Sequence, residues 1–241
     1  MTKTPSSTRR IFGILLFAIG ALSSTLLTGG LTWAGVEAAL YGFPRYTDER
    51  FDGLSCPLLM TRSETAFVRV AVNNPSDRVI TPFMTIDISA PGLPDTEEVQ
   101  VTVPAGQSRQ LTWSLSSDNI DRRYFIFVKA NRSASYPMPT AETICGTLVL
   151  DAPFLPAPVP QVQVNGMQIL LIWLALCVVC TPLGLWLWRS SLDPPNKMPG
   201  IIKALAITTL GSLIFSLGGV WMMGMLSLPV IILMAVGLLR R

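Results

Sequence analysis

Four cysteines and one small group of acids are the residues whose types and spacing point to chemistry. Cys177-Val-Val-Cys180 has the C-x-x-C spacing of a redox dithiol. That chemistry needs an electropositive, partly exposed setting to lower a thiol pKa. Here both thiols lie in an apolar run, so they are expected to be small, buried and inert. Cys56 and Cys145 sit near the two ends of a polar block. In an oxidising compartment they are expected to form one disulfide. Asp48, Glu49 and Asp52, beside Arg45 and Arg50, are the densest cluster of charge, and they read as a solvated segment. Histidine is absent from all 241 residues. Its absence removes His-ligated haem, His-containing zinc sites and any triad with imidazole as base. No phosphate loop, metal-ligand spacing or nucleophile motif is present. The expectation is therefore no enzyme, no cofactor, and no catalytic or metal-binding residue.

The elements that carry these residues follow from where charge is missing. Residues 11–36, 166–188 and 204–239 contain no Asp, Glu, Lys or Arg. A hydrocarbon layer about 30 Å thick needs about 20 apolar residues to cross as a helix. The expected order is a cytoplasmic N-terminus over 1–10, transmembrane helix 1 over 11–36 and a β-sandwich over 44–150. A Pro-rich linker follows over 151–166, then helix 2 over 167–188 and a cytoplasmic loop over 189–200. Residues 201–239 would make one helix of about 58 Å, too long for one crossing. Two are expected, over 201–220 and 225–239, with a turn at Trp221-Met-Met-Gly224.

Charge by region sets the orientation. Residues 44–166 carry 10 basic and 13 acidic side chains. The other basic residues are Lys3, Arg9, Arg10, Arg189, Lys197, Lys203, Arg240 and Arg241. A four-pass path puts all of them on one side, which the positive-inside rule makes cytoplasmic. Three passes would strand Arg240 and Arg241 opposite the rest. The basic residues thus read as topology signals, not a nucleic-acid surface. The location expected is the plasma (inner) membrane, with the β domain outside the cytoplasm and both termini inside. Trp186, Trp188 and Trp221 are expected at the membrane interfaces.

Inside the polar block the chain alternates with period two. Ala66, Val68, Val70 and Val72 form one set, and Met84, Ile86 and Ile88 another. Val99, Val101 and Val103 are expected in one strand, Leu111, Trp113 and Leu115 in the next. Ile126 and Val128 alternate with Phe125 and Phe127, and residues 146–150 supply a last strand. Turn residues separate them, as in Asn73-Asn-Pro-Ser76 and Pro104-Ala-Gly106. Short alternating strands at this spacing argue for an antiparallel β-sandwich.

The runs Val68-Arg-Val-Ala-Val-Asn-Asn-Pro75, Val103-Pro-Ala-Gly-Gln-Ser-Arg-Gln-Leu-Thr-Trp113 and Phe125-Ile-Phe-Val-Lys-Ala130 resemble bacterial immunoglobulin-like domains of the CARDB-like kind. The resemblance covers the outer domain only. It implies a fold, and a fold does not imply a function.

A charge at mid-bilayer costs about 2.5–3.5 kcal/mol on insertion scales and is kept for transport or proton relay. These helices keep none. Small residues recur at four-residue steps instead: Gly20, Ser24 and Thr28, then Ala204, Thr208, Ser212 and Ser216. Such residues let helix backbones approach closely in lipid. The functional expectation is a non-catalytic, membrane-anchored accessory or scaffold subunit of a larger complex. Its partners would be other membrane subunits and lipid, with no nucleic acid. The alternative is a permease-like subunit of an ABC-type export or cell-division system, which shares the topology.

Overall fold

A computed structural model of the chain describes residues 7–150, 164–191 and 200–239. The expected Pro-rich linker lies mostly outside these residues, as do most of the cytoplasmic loop, Lys3, Lys197, Arg240 and Arg241. The chain divides into a helical unit, Met1–Trp33 with Gln168–Arg241, and a β unit, Ala34–Met167.

Among its described residues the β unit has eight strands: β1 (Leu54–Ser55), β2 (Leu59–Thr61), β3 (Ala66–Asn73), β4 (Phe83–Ile88), β5 (Asp95–Gln100), β6 (Ser108–Leu115), β7 (Phe125–Arg132) and β8 (Ala141–Leu150). They form a three-stranded sheet, β1-β3-β6, and a five-stranded sheet, β2-β8-β7-β4-β5. All neighbours are antiparallel except β2 with β8. This is an immunoglobulin-like β-sandwich. Val68, Val70 and Val72 of β3 face Met84, Ile86, Ile126 and Val128 across one core, joined by Trp113 and Leu115. Strand β3 is buried at every second residue, as a sheet with one wet face must be.

Two strand expectations need correction. Val101 and Val103 lie beyond β5, although both are buried. The chain leaves the β4 edge after Gln100, and Val103 pairs with Ile80 instead. Cys145 lies inside β8, opposite Val128, because β8 begins at Ala141. A disulfide joins it to Cys56, just after β1, with Cα atoms 6.3 Å apart, so it links the two sheets.

The described residues also form four helices: α1 (Ser7–Leu40), α2 (Gly166–Ser190), α3 (Gly200–Leu217) and α4 (Trp221–Leu239). Three spans within them are long and apolar enough to cross a membrane: Thr8–Leu40, Gly166–Ser190 and Gly200–Leu217; the apolar part of α4, Met222–Gly237, is shorter. The turn expected at residues 221–224 is instead the first turn of α4. Gly219, at φ +75°, ends α3. The Val220 N–H reaches the Phe215 carbonyl and the Gly219 N–H that of Ser216, the paired bonds of a Schellman cap. A glycine able to go left-handed, not the tryptophan, sets the break.

Candidate functional site

The unusual feature of the β unit is the outer face of its larger sheet. In β7 the core side takes Ile126, Val128 and Ala130. Phe127, Lys129 and Asn131 point the other way, where water is expected, yet all three are buried. The chain leaving α1 covers them. Phe127 packs with Ala38, Tyr41 and Phe43. One step along, Lys129 is 0% exposed. Its Nζ lies 2.7 Å from Glu142 Oε2 and 5.0 Å from the Tyr46 ring centroid, and donates to the Pro44 carbonyl. Glu142 also accepts the Tyr46 N–H at 3.0 Å, and its own N–H reaches the Glu49 carbonyl at 2.9 Å.

Burial alone would push the Glu142 carboxyl up. The Lys129 hydrogen bond and the Tyr46 N–H more than offset this, with the lysine charge adding to them, and hold it below the usual carboxylate range. Breaking one side of such a pair leaves an uncompensated buried charge. The pair therefore fastens the covering segment to the sheet. On the core side of β7, Arg132 lies over the ring of the core residue Phe51 and donates to the Pro139 carbonyl. Asp87, cross-strand from Lys129, accepts the Thr96 hydroxyl at 2.7 Å.

At the opposite end of the same face, Gly146 of β8 lies against the backbone of Ala34, where a Cβ would collide with the Ala34 carbonyl. Tyr41 is pushed up to about 12 by burial and by the hydrogen bond and charge of Asp121. The Glu64 carboxylate accepts the Thr61 N–H at 2.9 Å and the N–H of Gly166, first residue of α2, at 2.5 Å. A carboxylate there satisfies an orphan donor and suits the positive end of the helix dipole.

The acids singled out in the sequence do not converge. Arg45 and Asp48 make a 3.9 Å pair, both exposed, and Glu49 contributes its carbonyl. No group of three His, Cys, Asp or Glu able to hold a metal occurs among the described residues. Lys129, Glu142 and Glu64 escaped the sequence reading. One signal was present for Lys129: Phe125-Ile-Phe-Val128 is apolar at both parities, the mark of a strand buried on both faces.

In the helical unit, α1 and α2 meet through glycine. A Cβ on Gly13, Gly20 or Gly184 would strike the backbone of Trp188, Thr181 or Phe17. Gly20, Ser24 and Thr28 are all buried. On α3 the residues of the small-residue stripe are buried unevenly. Ser212 and Ser216 are buried, but Ala204 and Thr208 only partly, while Leu205 and Thr209 take the inner positions. Each four-residue step turns about 40° past a full turn on a 3.6-residue helix, so a straight i+4 line spirals off the interface. Thr32 and Ser216 share a hydrogen bond at 3.2 Å, in a space that a Cβ on Gly224 would fill. Trp186 is exposed, with the Arg9 guanidinium 5.5 Å from its ring centroid. Trp188, half-buried, packs on Phe17, with centroids 6.0 Å apart. Trp221 opens α4, and its side chain lies outside the described set. Cys177 is buried and Cys180 half-buried, both as free thiols.

No protein-family model and no curated protein matches the chain. Among solved structures it is similar to the CARDB domain of a Pyrococcus furiosus protein, solved in complex with di-metal ions. That match has TM-score 0.33 and 11% identity, over 45% of this chain and 98% of that one. It is also similar to parts of a Bacteroides uniformis beta-glucuronidase, at TM-score 0.31 and 15% identity, and a Listeria innocua beta-glucosidase, at 0.28 and 15%. The chain spans 12% and 15% of those two enzymes. The immunoglobulin-like assignment rests on this chain's own strand order.

Proposed function

We propose that the chain is a non-catalytic, membrane-anchored accessory or scaffold subunit of a larger membrane protein complex. In this reading four helices cross the membrane, both termini are cytoplasmic, and the β unit is presented outside. One observation carries it: among the described residues the buried charged side chains each bond within the chain, and so do several buried hydroxyls. Lys129 and Glu142 hold the covering segment, Glu64 holds the start of α2, and Thr209 and Ser212 bond to carbonyls of their own helix. The helix surfaces left over are apolar, with Leu22, Leu26, Ile172, Ile207, Ile214 and Leu233 well exposed, which suits lipid and neighbouring helices.

The test is purification of the full chain in mild detergent with mass spectrometry of co-eluting proteins, alongside reporter fusions at Arg241 and within the β unit. Stoichiometric membrane subunits, with the two fusions in opposite compartments, are expected. A chain that elutes alone overturns the accessory role. A stoichiometric cytoplasmic ATPase would replace it with the permease reading.

A further inference from the structure

Both connections to the apolar helices leave the β unit from one end. Glu37, in the last turn of α1, pairs with Arg122. Tyr41 meets Asp121 and the Ala90 backbone. Glu64 holds Gly166. Three turns gather at this end, over residues 61–65, 89–94 and 116–124. Arg62 donates to the Arg123 carbonyl at 3.2 Å, and the Ser89 hydroxyl to the Asn119 carbonyl at 2.8 Å.

These turns carry features that an aqueous surface does not call for. Leu93, in Pro91-Gly-Leu-Pro94, is 83% exposed, the most exposed of the β unit's large apolar side chains among the described residues. Arg122 and Arg123 both sit in the left-handed region, at φ +47° and +70°, which costs residues other than Gly, Asn and Asp. That backbone turns Arg122 to Glu37 and sets Arg123 5.5 Å from the Tyr124 ring centroid. Tyr124 is itself exposed.

The acids here are mostly engaged. Glu37 is 16% exposed on its pair, Glu64 holds N–H groups, and Asp121 accepts the Arg122 N–H at 2.7 Å. Asp95 and Asp118 are exposed. Guanidinium groups suit phosphate, and tyrosine suits the headgroup layer.

We propose that this end of the β unit docks on phospholipid headgroups, with Leu93 entering the headgroup–acyl boundary and Arg123 holding a lipid phosphate. The proposal rests on the membrane-anchored reading above. It is tested on the full chain in nanodiscs of equal parts phosphatidylcholine and phosphatidylglycerol. An environment-sensitive fluorophore is attached at Leu93→Cys or, as control, at Tyr136→Cys, in a Cys177→Ala, Cys180→Ala background. Tyr136 is 82% exposed in the β7–β8 turn, at the other end of the unit.

The Leu93 probe should be blue-shifted, shielded from aqueous iodide and quenched by headgroup nitroxide lipid, unlike the Tyr136 probe. Arg123→Gln should lower the docked-to-undocked ratio roughly fivefold. A Leu93 probe as wet as the Tyr136 probe, in chain retained by the discs, overturns the docking and leaves the anchored reading standing. A dry probe indifferent to Arg123→Gln overturns the assignment of that arginine to phosphate. Chain not retained by discs at all overturns both readings.

Discussion

In the β unit a full ion pair, Lys129 with Glu142, lies under the chain that leaves α1. Among the described residues of the helical unit the buried polar groups are hydroxyls, and those of Thr209 and Ser212 return their hydrogen bonds to their own helix. The contrast follows from the two surroundings. A water-exposed domain can bury charge where a covering strand supplies carbonyls and an aromatic face. A helix meant for lipid has no such supply, so it closes its interfaces with glycine and hydroxyls. One unit is fastened by charge and a covalent link, the other by close backbone approach.

Breaking the covalent link should have the largest effect. Cys56→Ala with Cys145→Ala removes a link across a separation of 89 residues, and roughly 4–5 kcal/mol of β-unit stability on the chain-entropy model. Near-UV circular dichroism in detergent should show the β unit melting early while the helical far-UV signal persists. Loss of both signals together would erase the distinction between the units.

Lys129→Ala leaves Glu142 buried without its partner, and should cost about 3–5 kcal/mol. Lys129→Met with Glu142→Leu should recover most of it, since an apolar pair of similar volume is often neutral. A double variant as unstable as the single one would mean the pair does more than fasten the segment.

In the helical unit, Gly184→Leu forces a side chain into the α1 backbone and should cost about 1–3 kcal/mol by overpacking. Gly211→Leu, where a Cβ meets nothing within 4 Å, is the control and should melt like the parent. Equal melting of the two would show that α1 and α2 are not held by close approach.

A smaller effect comes from pH. Glu142 sits below its ordinary value of 4.5 when folded. Its contribution is therefore present above that value and lost as pH falls through the lower folded one. Tyr41, raised from 10.0 to about 12, contributes fully below pH 10.0 and loses its share as pH rises toward 12. Unfolding midpoints across pH should fall at both extremes, and Glu142→Gln should flatten the acid side. The smallest effect is expected at Thr208→Leu, within about 0.5 kcal/mol, because that position is only partly buried and lipid tolerates either side chain. A large loss there would return the interface to the straight i+4 line.

Several elements were legible because their signals are local. Charge-free runs mark apolar helices through length and composition alone. The alternation in β3 marks a half-buried strand, since side chains in a strand alternate faces whatever lies opposite. Other features were decided only by the tertiary structure. That Lys129 is buried depends on residues 38–46 crossing the outer face of β7, a contact between segments far apart in sequence. The inner line of α3 depends on which neighbour each face meets, so it runs through Leu205 and Thr209 and not Ala204 and Thr208. The end of α3 depended on backbone geometry at Gly219, where φ is +75°, two residues before the turn expected over residues 221–224. Periodicity and composition are properties of short windows. Partners, coverage and register are set by chain crossings that no short window contains.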